Sequence, residues 1–366
     1  MKITADFWKF VFPILLAVIF AVLLGVVFYL RQPHDSEPEY QGKKLTDWAK
    51  EIDLVDFFRL PAYQQHRQQN EQATVAIRHI GTNALPVVLE LCRAKDSWLR
   101  VKWENWTRRY NFPAVDKHYE GVNIIWALGT MTKPIVPDLV DLLKSRNTEI
   151  TEDIRYALPG AGTNAIPPLL KLLNNPDKEI RLRAALVLGD FFRSKIPPNE
   201  SNGSLIVAGS ESFRSQVAAA VPVLLSGLND PELNLIQHIR VIRALGLMRE
   251  DAPVVVPILI HRLQIETNRM TDMLVRANYF SALGDYGTNA AAAVPLLVHI
   301  LESKPYGLDF PPTENVLVNL WQIDSAAALP FIEKWQGWTT NLLNWPTTGH
   351  WNRPTIQTNS LSPPVR

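Results

Sequence analysis

Along most of the chain, apolar residues recur at helical spacing and are interrupted by one recurring phrase. The phrase runs from an apolar helix end through a glycine-containing turn and small residues to a proline and a Leu/Val-rich helix. It reads IGTNALPVVLEL from Ile80, LGTMTKPIVPDLVDLL from Leu128, GTNAIPPLLKLL from Gly162 and AAAVPVLLSGL from Ala218. It returns as ALGLMREDAPVVVPILIHRL from Ala244, ALGDYGTNAAAAVPLLVHIL from Ala282 and AAALPFIEKW from Ala326. The marker prolines are Pro86, Pro137, Pro167, Pro222, Pro257, Pro295 and Pro330, with successive gaps of 51, 30, 55, 35, 38 and 35 residues. A gap of 30–38 holds one helix–turn–helix unit, and the gaps of 51 and 55 hold one unit plus an insertion.

Each part of the phrase has a physical reason. Glycine takes the left-handed conformation that ends a helix, and alanine is the best helix former. A proline at the next helix start loses no hydrogen bond, because that N–H would have no partner anyway. Leu and Val at i, i+3 and i+4 then form an apolar stripe. One helix pair cannot bury such a stripe, so pairs must stack. The expected fold is therefore all-α: an α-solenoid of about six to seven helix pairs over residues 45–336, with insertions at about 94–118 and 194–215. Leu45, Trp48, Ile52 and Val55 share one helical face and read as a cap on the first pair. Residues 337–366, rich in Thr, Asn, Pro and Trp, read as a weakly ordered tail.

The N-terminal pattern is different. After a short tail over residues 1–9, Phe10 to Leu30 carries no charge. At ~1.5 Å per residue the run is about 31 Å of helix, matching a hydrocarbon core of ~30 Å. Pro13 lies in its first turn, and Trp8 and Tyr29 lie near the two interfaces. A cleaved signal peptide would have a shorter apolar run ending in small residues, whereas this one ends Phe28-Tyr29-Leu30-Arg31. Residues 10–31 are thus expected to be an uncleaved transmembrane helix, followed by a polar, proline-containing spacer over 32–44. Lys2, Lys9 and the terminal amine balance Arg31, Lys43 and Lys44, so flanking charge does not orient the span. A short N-terminal tail usually stays cytoplasmic, which places the body outside the cytoplasm.

The stretches PDKEIRLRAALVLG (Pro176 to Gly189) and DMLVRANYFSALGDYG (Asp272 to Gly287) resemble HEAT repeats of the short bacterial kind also seen in phycobilin-lyase-like proteins. The resemblance covers about residues 70–336. It implies that Asp177, Arg181 and Arg276 lock adjacent repeats together. It implies no particular activity, because that family hosts many roles.

Charge and composition narrow the function. Formal net charge is +1, and Lys2, Lys9 and Arg31 against Asp6 give the first 31 residues +2, leaving the rest at -1. A near-neutral body lacks the field of a dedicated nucleic-acid binder. The single cysteine, Cys92, excludes internal disulfides and Cys-rich metal sites, and reads as a small core residue. None of the eight histidines is followed by Glu, and no H-x-x-x-H pair, phosphate-binding Gly-rich loop or G-x-S-x-G elbow occurs. Glu152-Asp153 reads as a solvated helix start.

Two basic features stand out. In the 94–118 insertion, Leu99, Trp103, Trp106 and Tyr110 share a face while Arg100, Lys102, Arg108 and Arg109 lie off it, which reads either as an amphipathic helix with core aromatics and solvated charges or as a patch for an anionic partner or headgroups. Arg155, Arg183, Arg240, Arg243 and Arg276 recur on the helices read as second in each pair. They either line a groove for acidic peptides or pair with Asp and Glu to hold the stack. The reading is a membrane-tethered scaffold for a protein partner, held through residues 10–30, with no catalytic residue, cofactor or metal. An accessory lyase-like protein acting on a chromophore or protein substrate, and a HEAT-type nucleic-acid binder, are the alternatives.

Overall fold

The computed structural model describes residue 20 and residues 37–52, 60–94, 117–193, 211–268, 273–303 and 311–334. The expected membrane span (Phe20 apart), Val55, the basic patch of the first insertion, most of the second insertion and the 337–366 tail lie outside these residues.

Residues 39–44, expected as spacer, form a two-stranded antiparallel hairpin. Strand β1 (Glu39–Tyr40) pairs with β2 (Lys43–Lys44), Glu39 opposite Lys44 and Tyr40 opposite Lys43. Gln41 and Gly42 both have positive φ, 53° and 75°, the twist that a tight hairpin requires. Helix α1 (Leu45–Ala49) follows directly. Leu45 and Ile52 are buried, and Trp48 donates from Nε1 to the Tyr40 carbonyl at 3.2 Å.

The remaining described elements are helical. They are α2 (Leu60–Ile80), α3 (Leu85–Arg93), α4 (Lys117–Leu128), α5 (Val136–Leu142), α6 (Thr148–Ala157), α7 (Ile166–Leu172) and α8 (Lys178–Arg193). Then come α9 (Glu211–Val217), α10 (Val221–Leu228), α11 (Leu235–Met248), α12 (Ala252–Asn268), α13 (Met273–Asp285), α14 (Val294–Ser303), α15 (Pro311–Ile323) and α16 (Ser325–Lys334).

Two rows emerge. Helices α2, α4, α6, α8, α11, α13 and α15 each pack on the next, forming a leading row. Helices α3, α5, α7, α10, α12 and α14 each pack on the following leading helix. The buried apolar residues form one cluster from Leu45 to Ala328. Counting pairs from the proline helix, the arginine-bearing second helices are these leading helices.

Glycine has two jobs here, only one of which the phrase announces. Gly81, Gly129, Gly162 and Gly287 have φ of 62°, 58°, 72° and 56° and turn the chain between rows. Gly189, Gly246 and Gly284 instead lie inside helices, where a Cβ would strike the next leading helix. Helix α11 ends without glycine, through left-handed Arg249 at φ 57°. The marker prolines also divide. Pro86, Pro137, Pro167 and Pro222 stand in first turns, but Pro257 and Pro330 lie inside α12 and α16.

Among the described residues, one stretch, Gln68–Arg93, has the length and apolarity of a membrane span. It is the α2–α3 pair, broken at Gly81, with Ala73, Ile77, Ala84 and Val88 fully buried in the core.

Candidate binding surface

The arginines of the leading row are largely engaged with their neighbours. Arg155 on α6 is 5% exposed and pairs with Asp190 on α8, and its Nη2 lies 3.3 Å from Glu152. Its guanidinium also stacks 4.2 Å above the Tyr156 ring. Burial pulls the Arg155 pKa down, but Asp190, with help from Tyr156 and Glu152, holds it above the ordinary value. A buried charge of this kind is tolerable only when paired.

Arg183 on α8 donates to the carbonyls of Leu143 and Ser145, at 2.9 and 2.7 Å, and pairs with Glu179. It therefore satisfies carbonyls left open at the end of α5. Arg240 on α11 donates to Glu152 at 2.6 Å. Arg276 is buried, and Arg243 is exposed on α11. Arg155 and Arg276 are buried, Arg155 in an ion pair with Asp190, so neither lies open to solvent. Arg100, Lys102, Arg108 and Arg109 lie outside the described residues.

Two of the three residues that the resemblance marked as locking adjacent repeats, Asp177 and Arg181, instead make contacts within their own loop and helix start. Asp177 accepts from the Glu179 N–H at 2.8 Å at the start of α8. Arg181 donates to the Asn175 and Pro176 carbonyls, at 2.7 and 2.9 Å.

Two acidic residues in this region were not legible beforehand. Glu152, read as a solvated helix start, joins Arg155 and Arg240. Asp190 follows Gly189 in the triplet Leu-Gly-Asp, and the same triplet places Asp285 3.6 Å from Arg249. The recurrence of that triplet after an apolar helix was the available signal.

Further side chains tie successive units. Arg78 donates to the Ala127 carbonyl at 2.9 Å, Trp126 to that of Tyr156 at 3.0 Å, Arg214 to that of Met248 at 2.6 Å, and Tyr286 to that of Glu250 at 2.8 Å. Each closes a backbone acceptor at or just beyond a helix end in the next or preceding unit.

Several large apolar side chains are also open to solvent. Ile236 on α11 and Leu274 on α13 are each 61% exposed, and Leu235 is 45% exposed. Ile236 stands ten residues before Gly246, and Leu274 ten before Gly284, so they occupy corresponding positions on adjacent helices. Beside α11 lies a cleft of about 390 Å³ between α8 and α10, lined by Leu182, Val223, Leu233 and Gln237 among others. Lys178, paired with Asp230 at 3.1 Å and with Glu232, lies at its edge.

Chemistry-bearing groups are otherwise buried or scattered. Cys92 is buried against α4, and burial pushes its thiol up to about 12, so it is no nucleophile at neutral pH. Among the described residues no group of three His, Cys, Asp or Glu side chains could hold a metal ion.

No family model and no curated protein matches this sequence. Thirty-one chains of solved structures do match. One is an engineered protein from the Northeast Structural Genomics Consortium, 17% identical, with a TM-score of 0.40, covering 77% of this chain and 96% of that one.

Proposed function

We propose that this protein is a single-pass, membrane-tethered scaffold whose body is a HEAT-like α-solenoid that binds a protein partner. Three features support the architecture: the recurring phrase, the row of leading helices each packed on the next, and the left-handed glycines between rows. The uncharged run from Phe10 to Leu30 supports the tether. The body is read as extracytoplasmic.

The observation that carries the binding reading is the pair Ile236 and Leu274. Large aliphatic side chains at matched positions on adjacent helices, each mostly open to water, supply the apolar anchors that interfaces use. Arg243, exposed on α11, is a candidate polar contact beside such anchors, and Arg100, Lys102, Arg108 and Arg109 of the 94–118 insertion are candidate partner contacts read from the sequence alone.

Proximity labelling in the native cell, followed by co-purification, tests this reading. The full chain is compared with the double variant Ile236→Asp/Leu274→Asp. A membrane-associated partner enriched by the full chain and lost with the variant supports it. Recovery of the same proteins from both removes the proposed surface. Release of the chain from membranes by alkaline carbonate removes the tether. Retarded DNA at low salt, or chromophore transfer in a reconstituted assay, would favour the nucleic-acid-binding or lyase-like reading instead.

A further inference from the structure

We infer that Glu152 and Arg240 form an ionic strap across α8 that limits how far the leading row opens. Glu152 is on α6 and Arg240 on α11, and α8 lies between these helices. Packed helix axes lie about 8–10 Å apart, so in a straight row α6 and α11 would be roughly 16–20 Å apart. Side chains give a helix an average radius of about 5–6 Å, and an extended arginine or glutamate reaches beyond it. A 2.6 Å contact between Arg240 Nη1 and Glu152 Oε1 therefore needs both side chains extended toward each other across α8.

The sequence of α8 makes room for the crossing. Arg183 stands six residues before Gly189, and Arg240 stands six before Gly246, so the two arginines occupy corresponding positions. Arg183 is drawn aside to the Leu143 and Ser145 carbonyls and to Glu179. Arg240 can then pass over α8 to Glu152. Close packing at Gly189 against Ala244 brings α8 and α11 near enough for the reach. Glu152 is fixed from its other side by Arg155, itself held by Asp190, so the strap has a rigid anchor on α6.

Unlike Arg155, the strap is open to solvent: Glu152 is 37% and Arg240 25% exposed. Dissolved ions reach it, and at 1 M salt the screening length falls to about 3 Å. A stack in which each unit touches only its neighbours bends easily, so one contact between non-neighbouring helices has leverage over its curvature.

The test uses the full chain in lipid nanodiscs. Nitroxide labels are placed at Glu149→Cys and Ile236→Cys, two exposed positions in the first turns of α6 and α11. The distance between them is read by pulsed dipolar spectroscopy. It lengthens by roughly one helix radius, about 5 Å, in Glu152→Gln, in Arg240→Gln and in the unsubstituted pair at 1 M salt. The exchange Glu152→Arg/Arg240→Glu returns it to the starting value. An unchanged distance in high salt and in the folded single variants overturns the strap, as does an exchange that fails to shorten it. If a single variant does not fold, the salt series alone decides. Glu232→Gln, which breaks a contact at the other edge of α8, leaves the distance unchanged.

Discussion

A Cβ added to Gly246 would lie 2.6 Å from the Ala282 Cα, closer than real side chains approach a backbone. The glycine is thus a spacing device between α11 and α13. Gly189 has the same relation to Ala244, with a Cβ-to-Cα distance of 3.1 Å. Gly246→Ala should destabilise the fold by about 1–3 kcal/mol through overpacking. The thermal midpoint should fall, and adding Ala282→Gly should recover part of the loss. Gly81→Ala offers a contrast, since no atom lies within 4 Å of its added Cβ. Its cost, about 1–2 kcal/mol, comes from the left-handed backbone alone, and no neighbouring substitution should relieve it.

Removing Asp190 should be among the most costly polar changes. Asp190→Ala leaves the 5% exposed Arg155 guanidinium with only the longer 3.3 Å contact to Glu152. Breaking a buried pair in this way costs about 3–5 kcal/mol. Lys178→Ala, which removes a solvent-exposed pair with Asp230 and Glu232, should leave the denaturant midpoint nearly unchanged. Equal effects of the two substitutions in urea unfolding would contradict this ranking.

Cys92 should be silent to thiol reagents in the folded protein. Its thiol is held protonated up to about 12 by burial, and a protonated thiol does not attack. At pH 8 a disulfide reagent should react only after denaturant is added. Reaction within minutes in native buffer would show that the α3–α4 contact opens readily.

Asn123 fastens the hairpin and α1 to the stack. It donates to the Ala49 and Ile52 carbonyls at 3.0 and 2.7 Å, inside the core. Asn123→Ala takes this donor from the Ile52 carbonyl, while the Ala49 carbonyl keeps the Ile52 N–H, at a cost of about 1–3 kcal/mol. Amide exchange over residues 45–52 should accelerate first, while α11 to α15 keep their protection.

Much of the helical layout was legible because its signals are local. The proline of α3 sits at its helix start because a first-turn N–H needs no partner, and Gly81 takes a positive φ because it has no side chain to clash. These consequences do not depend on what lies elsewhere in the chain. The hairpin at 39–44 was missed because its strands are two residues long, too short for alternation to register. Pro257 was read as a helix start because Pro253, in the first turn of α12, looks the same in sequence.

The sequence by itself determined that the chain would be helical and would turn at particular glycines, because helix period, backbone freedom and proline geometry are properties of a few consecutive residues. Only the tertiary structure decided what the charged and small residues do. Arg155, Arg183 and Arg240 look alike on their helices, yet one is buried against Asp190, one closes carbonyls of α5 and one crosses α8 to Glu152. Gly246 looks like a helix terminator and is a close-packing contact. These outcomes depend on which helix lies alongside and how near it comes, a distance set by the assembled stack.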